Sequence, residues 1–80
     1  MQVLVVSAVG RGQATPFTVD PHETIRDLKR KIADAIGTPA EAIRLTYRGR
    51  ELDDKLTIEA AGIEDGAKIF YITTDMVGGN

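Results

Sequence analysis

The chain has 80 residues, 42% of them hydrophobic, and its ten basic and twelve acidic side chains leave a formal net charge of −2. This length predicts one small domain that needs its apolar residues for a core and has little left for a catalytic cleft. The absence of cysteine excludes disulfides, thiolate metal sites and a cysteine nucleophile on this chain, and the interspersed charges form no basic track for nucleic acid.

The N-terminal segment predicts a β-hairpin. Gln2–Ser7 is rich in β-branched residues, which favours a strand, and its apolar run is too short for a membrane span or a signal peptide. Residues 10–12 permit a tight turn, because their two glycines adopt positive φ without strain. Residues 15–19 alternate, and Pro16, which cannot donate a ladder hydrogen bond, predicts that this second strand lies at a sheet edge.

The next segment predicts an amphipathic helix. Thr24 suits the N-cap, and Asp27 adds negative charge near the positive end of the helix dipole. An apolar stripe with helical spacing follows, formed by Ile25, Leu28, Ile32 and Ile36. Mostly outside the stripe lie the charged residues Arg26, Lys29, Arg30 and Asp34. Gly37 favours a left-handed helix end, and Pro39 prevents the helix from resuming.

The second half of the chain predicts three more strands. Residues 42–47 alternate, residues 51–53 suit a very short strand after the turn at Gly49, and Lys68–Thr73 reads as the last strand. Residues 56–61 suggest a short helical turn. We therefore expect an α+β domain over residues 1–74, a β-grasp fold with one main helix packed across a mixed sheet of four to five strands. The first and last strands should be parallel neighbours, and residues 75–80 should form a loose tail.

The order and spacing of these residues resemble ubiquitin over nearly the whole chain. The matching residues are Met1-Gln2-Val3, Thr24-Ile25, Lys29, Lys31, Ile32, Gly37, Pro39, Arg44-Leu45, Gly49, Leu52-Asp53-Asp54, Ile63 and Gly78-Gly79. Three stretches look most like the archaeal ubiquitin-like modifiers: Ala8-Val9-Gly10, Arg44-Leu45-Thr46-Tyr47 and Val77-Gly78-Gly79. The resemblance implies a cytoplasmic, monomeric protein modifier that is not an enzyme and needs no cofactor or metal.

The C-terminal glycines would carry the chemistry that the resemblance implies. The carboxylate of Gly79, preceded by Gly78, would be joined to lysines of target proteins after a deubiquitinase-type metalloprotease removes Asn80. An activating enzyme, a conjugating enzyme and a ligase would act in turn, with the proteasome as a further partner by analogy. Glycine suits this end because it lacks a Cβ atom, which lets a partner's backbone approach closely. We expect no nucleic-acid or membrane partner.

A partner-binding surface is implied by the same resemblance. Carried over by position, its residues are Val9 or Ala8, Thr46, Phe70 and Ile72, with Arg44, Arg48 and Arg50 as a basic rim. Alternation supports part of this set, because Phe70 and Ile72 face outwards if the residues between them face the core. Ordinary exposure of these side chains on a small sheet is the alternative.

The four lysines bear on whether the modifier would itself be modified. Lys29 and Lys31 match ubiquitin lysines and are the candidate acceptors, although a solvated basic helix face is the interpretation we favour. Arg50 and Asp65 stand at the positions of ubiquitin's best-known chain-forming lysines, and neither can accept an acyl group. We therefore expect single modifications to dominate.

Two other functions remain open from the sequence. The first is a β-grasp sulfur carrier, in which the activated glycine carboxylate becomes a thiocarboxylate. The second is a noncovalent ubiquitin-like interaction domain cut from a longer protein. Asn80 and the ubiquitin-like helix count against the sulfur carrier.

Overall fold

The strands form one mixed sheet with a helix packed across it. The computed structural model describes residues 1–8 and 13–74. The elements in chain order are β1 (Gln2–Ser7), β2 (Ala14–Thr18), α1 (Ile25–Ile36), a 3₁₀ turn (Ala40–Ala42), β3 (Ile43–Tyr47), β4 (Arg50–Glu51) and β5 (Lys68–Thr73). The strand order is β2-β1-β5-β3-β4, and β1 runs parallel to β5 at the centre. The predicted β-grasp topology is confirmed.

The N-terminal hairpin has β2 at the edge of the sheet, as Pro16 predicts. The two strands are antiparallel, with Leu4 opposite Pro16 and Gln2 opposite Thr18. Among the described strands only β1 flanks β2, so the missing N–H of Pro16 costs no ladder bond on the open side. The glycine turn at residues 10–12 lies outside the described residues.

Helix α1 begins and ends where the local signals predict. The Thr24 hydroxyl accepts from the Asp27 N–H at 3.2 Å, and the Asp27 carboxylate accepts from the Thr24 N–H at 3.1 Å, which completes a capping box. This backbone hydrogen bond and the Thr24 hydroxyl lower the pKa of Asp27 below its ordinary 3.8. At the other end Gly37 has φ 72°, and its N–H donates to the Ala33 carbonyl at 2.8 Å.

The core lies between α1 and the inner face of the sheet. The largest fully buried side chains are Val3, Val5, Ile25, Leu28, Ile32, Ile43, Leu45, Ile58 and Ile69. Each such side chain contributes about 1.5–3 kcal/mol on removal from water. The prediction is wrong for Ile36, which is 38% exposed because it is the last helical residue. It instead lines a groove with Phe17 and Tyr71.

The connections on either side of β3 differ in detail from the prediction. The short strand is Arg50–Glu51 instead of residues 51–53, although the Leu52 N–H still donates to the Leu45 carbonyl at 2.9 Å. Residues 58–61 form a turn in which the Ala61 N–H donates to the Thr57 carbonyl at 2.9 Å, the spacing of a single helical turn, and Thr57 itself bridges to Thr24. The 3₁₀ turn that follows Pro39 was not predicted. Among the described residues, no helix has the length and apolar character needed to cross a membrane.

Candidate partner-binding face and C-terminal tail

Phe70 and Ile72 lie side by side on the outer face of the sheet, away from α1. They are 39% and 37% exposed, whereas Ile69 on the inner face of the same strand is fully buried. On the neighbouring strand Thr46 lies opposite Phe70, and Arg44 lies opposite Ile72. The structure therefore brings four of the residues singled out from the sequence, Arg44, Thr46, Phe70 and Ile72, onto one surface. We call these four residues the outer patch.

The apolar part of this surface continues onto β1, which sequence reasoning missed. Val6 lies opposite Phe70 in the parallel ladder, and Leu4 lies two residues earlier on the same face. Val6 is only 5% exposed although it does not belong to the inner core cluster. The signal was present in the sequence: a strand with one solvated face alternates, whereas residues 3–6 are apolar without interruption.

The structure separates the three arginines that were expected to form one basic rim. Arg44 lies on the outer patch, where its Nε is 3.8 Å from Glu51 Oε2. Arg50 pairs with Tyr47, one residue out of phase with Thr46, so its side chain leaves the sheet on the opposite face. Arg48 belongs to the turn between them and lies over the Tyr47 ring. The prediction that Arg48 and Arg50 belong to a basic rim of this surface is therefore wrong.

Two of the lysines are tied to the body of the protein. The Lys29 ammonium forms an ion pair with the Asp54 carboxylate, and the lysine side chain is only 11% exposed. The Lys31 ammonium donates to the Thr18 carbonyl at 2.8 Å and to Glu23 Oε1 at 2.9 Å. The expectation of a solvated helix face is therefore wrong for Lys29. By contrast, Lys55 and Lys68 are exposed and form no ion pair with any residue in the described ranges.

The remaining predicted site residues lie outside the described residues: Val9, Gly78, Gly79 and Asn80. The last described residue is Thr74, whose N–H donates to the Ala42 carbonyl at 2.6 Å. This bond fixes the point from which the C-terminal segment departs. Within residues 1–8 and 13–74 there is no cluster of three or more side chains suited to holding a metal ion.

Comparisons with known proteins match the chain along almost its full length. The model of the Ubiquitin family matches residues 4–74. The solved structure of Caldiarchaeum subterraneum ubiquitin superimposes with a TM-score of 0.88 at 38% identity, covering 99% of this chain and 98% of that one.

Curated relatives divide into long proteins and one of similar size. A 2'-5'-oligoadenylate synthase-like protein 2 of Mus musculus is 41% identical over 71 residues, which are 89% of this chain and 14% of the relative. The NEDD8-like protein RUB1 of Saccharomyces cerevisiae is 26% identical over 69 residues, 86% of this chain and 88% of the relative. The chain spans 14% to 34% of the length of the four curated relatives other than RUB1.

Proposed function

The chain belongs to the ubiquitin family, and from that premise we propose that it is a protein modifier joined to lysines of target proteins through the carboxylate of Gly79. The observation that supports this most is the similarity to an archaeal ubiquitin over 99% of the chain. Ubiquitin-like proteins of this kind typically act as substrates and not as catalysts. The proposal therefore assigns the chain a reactive end and a recognition surface, and leaves catalysis to partner enzymes.

The tail has the reach that this role requires. Five residues, 75 to 79, follow Thr74, the last one that the structure describes. Fully extended, such a segment spans about 17 Å, which would carry Gly79 well beyond the surface of the domain. Gly78 and Gly79 lack Cβ atoms, so a narrow partner site would accept them in any backbone conformation. The domain would act as the handle and the tail as the group that enters the active site.

The chemistry must use groups that this chain lacks. A carboxylate is a poor electrophile, so an activating enzyme would first convert Gly79 to an acyl-adenylate with ATP, and pyrophosphate would leave. A cysteine thiolate of that enzyme would attack the adenylate carbonyl and expel AMP. A thiolate of a conjugating enzyme would then take the acyl group by thioester exchange, which releases the first thiolate. A target lysine amine would attack the thioester carbonyl, forming the C–N bond and expelling the thiolate. Since the chain has no cysteine, every thiol in this sequence belongs to a partner.

Processing would precede activation, because Asn80 holds the Gly79 carboxyl group in a peptide bond. A deubiquitinase-type metalloprotease would hydrolyse this bond and free the carboxylate. Such a partner, together with a ligase and the proteasome downstream, completes the proposed set. The cytoplasm is the compartment that we assign to it.

The outer patch would be the noncovalent recognition surface for these partners. Its exposed apolar pair, Phe70 and Ile72, sits beside a polar margin formed by Thr46 and the Arg44–Glu51 pair. An apolar centre with a polar rim is the usual anatomy of a protein interface. The half-buried Leu4 would widen this centre towards β1, whereas Val6, at 5% exposure, offers a partner little surface.

Reconstitution tests the proposal directly. Chains ending at Gly79 and at Asn80, and a Gly79→Ala variant of the shorter chain, are mixed with candidate activating and conjugating enzymes and ATP. We expect a thiol-sensitive adduct on the activating enzyme with the chain ending at Gly79 only. Equal charging of both lengths would contradict the processing step, and adducts formed by Gly79→Ala would contradict the role of the tail.

A noncovalent interaction domain is the second candidate function. It is favoured by the relatives of which this chain spans only 14% to 34%. In that case the outer patch would bind partners while the glycines remain unused. Absence of any thioester, combined with binding that is lost on Phe70→Ala, would favour this function. The mass of the mature chain would separately reveal a thiocarboxylate, the product expected of a sulfur carrier.

A further inference from the structure

The turn between β3 and β4 holds an arginine in an unusual backbone conformation. Arg48 has φ 56° and Gly49 has φ 80°, and Tyr47 pairs directly with Arg50 across this two-residue turn. Two positive φ values are characteristic of a type I′ turn, in which asparagine, aspartate and glycine are preferred at the first central position. The local backbone therefore does not account for an arginine at position 48.

The side chain of Arg48 is held in place by its neighbour. Its guanidinium carbon lies 5.4 Å from the centroid of the Tyr47 ring, within the range of a cation–π interaction. A cation–π contact is made through the charge of the guanidinium, so its N–H groups remain available to an acceptor. Arg48 is thus presented as an ordered donor at the surface.

A groove of about 370 Å³ opens beside this turn. Its lining residues are Tyr47, Arg48, Arg50, Leu52, Ala61 and Gly62. Leu52 is 7% exposed and contributes apolar surface at depth, while both arginines are exposed. Because Arg50 and Thr46 leave the sheet on opposite faces, this groove is distinct from the outer patch.

Neither arginine of the groove is paired with an acidic side chain in the described part of the chain. The described part of the chain contains three ion pairs, Lys29–Asp54, Lys31–Glu23 and Arg44–Glu51, and neither Arg48 nor Arg50 takes part in one. Two guanidinium groups thus flank a groove that Leu52 and Ala61 also line, in a chain whose net charge is −2. Guanidinium groups bind carboxylates through paired hydrogen bonds, so the groove complements an anionic group next to an apolar one.

We propose that this groove docks a short acidic segment of a partner protein. A glutamate or aspartate carboxylate would lie between Arg48 and Arg50, and an adjacent aliphatic or aromatic side chain would pack on Leu52 and Ala61. Nucleic acid is a poorer match, because it requires a continuous basic track along the backbone. The site does not depend on the tail, so a partner could hold the groove and use Gly79 at the same time.

Titration of the ¹⁵N-labelled chain with synthetic peptides tests the groove. The probe is an acetylated octapeptide that alternates glutamate with leucine, and its control replaces each glutamate by glutamine. We expect saturable shifts at Tyr47, Arg50, Leu52 and Gly62 with the acidic peptide only, and about tenfold weaker binding for Arg50→Gln, the loss typical of one charge-assisted hydrogen bond. The matched control, Arg44→Gln on the outer patch, should bind as the unmodified chain does.

Arg48→Gly separates a binding role from a structural one. Glycine adopts φ 56° without strain, so the variant should be at least as stable as the parent while binding the acidic peptide about tenfold more weakly. Unchanged affinity in Arg48→Gly and Arg50→Gln would overturn the proposal. So would equal binding of the glutamine peptide, shifts confined to Phe70 and Ile72, or tighter binding of a single-stranded oligonucleotide at the same residues.

Discussion

Lys29 and Asp54 form an ion pair that joins the helix to the loop after β4. The lysine side chain is only 11% exposed, whereas that of the aspartate is 47% exposed. The Arg26 N–H also donates to the Asp54 carbonyl at 3.3 Å, so backbone and side chain of one aspartate both contact the first turns of α1. The two partners are not equivalent, because only the lysine depends on the pair for its solvation.

Asp54→Ala should therefore destabilise the fold more than Lys29→Met. Removing the carboxylate leaves a nearly buried ammonium without its partner, at a cost of about 1–3 kcal/mol. Removing the ammonium leaves a carboxylate that water can still reach, so we expect a loss below about 1 kcal/mol. Urea unfolding measures both, with Glu59→Ala on the exposed surface as the control. A larger loss for Lys29→Met would contradict this account.

The rate at which each lysine is acylated should depend on whether its ammonium is held in an ion pair. Trace treatment of the folded chain with the N-hydroxysuccinimide ester of acetate, followed by mass spectrometry, reports each amine separately. We expect Lys55 and Lys68 to react about tenfold faster than Lys29, because an ammonium held in an ion pair must lose its partner before it reacts. Lys31 should be intermediate. We expect equal rates for Lys29 and Lys55 only in urea, where the chain is unfolded. Equal rates in the folded chain would contradict the structure.

The different reactivity of the lysines also affects which of them could be joined to a second copy of the chain. The two lysines that match ubiquitin by position are the two that the structure ties down, Lys29 to Asp54 and Lys31 to Glu23. Chains linked through either should therefore be rare in a reconstituted reaction. Lys29→Arg and Lys31→Arg should leave the yield of any dimer unchanged. A dimer that disappears in Lys29→Arg would show that the lysine is released during conjugation.

The capping box should give the protein a specific dependence on acid. The pKa of Asp27 is lowered, first by the hydrogen bond from the Thr24 N–H and then by the Thr24 hydroxyl. The unfolded chain therefore binds the proton more tightly, so this stabilisation is complete above the ordinary value of 3.8 and is lost as the pH falls through the folded-state pKa. Asp27→Asn should lower the urea midpoint at pH 7 and should converge with the parent only as the pH falls through the folded-state pKa, which lies below 3.8. A constant difference at all pH values would contradict it.

Helix α1 and the strands β3 and β5 were predictable because their sequence signals are local. Thr24, Gly37 and the apolar spacing between them define α1 without reference to any distant residue. The burial of Ile69 and of Leu45, and the exposure of Phe70, likewise follow from alternation once the strands are placed.

What escaped prediction depends on register and on distant partners. The face of Arg50 is decided by where β4 begins, and a shift of one residue moves a side chain to the other face of the sheet. The turn of Arg48 and Gly49 fixes that register by pairing Tyr47 with Arg50. The burial of Lys29 depends on Asp54, which is remote in sequence, and no pattern within the helix reveals it.

The residues ahead of the glycines should decide which activating enzyme accepts the chain. Asp75-Met76-Val77 stands where ubiquitin has a basic approach that contains leucine. An enzyme that pairs its own carboxylates with that basic segment would meet an aspartate here, and like charges at an interface oppose binding. Charging of the chain ending at Gly79 by a eukaryotic ubiquitin-activating enzyme should therefore be slow, and Asp75→Arg should raise it. Charging at the rate of ubiquitin would contradict this expectation.

Phe70 and Ile69 are neighbours in sequence, but substitution of each should affect a different property of the protein. Ile69 is fully buried, so Ile69→Ala should cost about 2–5 kcal/mol of unfolding free energy, whereas Phe70→Ala, at 39% exposure, should cost less than about 1 kcal/mol. Phe70→Ala should instead weaken transfer to the conjugating enzyme, because it removes the apolar centre of the outer patch. Thermal unfolding and single-turnover transfer measure the two effects, with Thr73→Ala on the same strand as the control. A large loss of melting temperature in Phe70→Ala, with transfer by the folded fraction unchanged, would make this side chain a structural residue and remove the patch as a recognition surface.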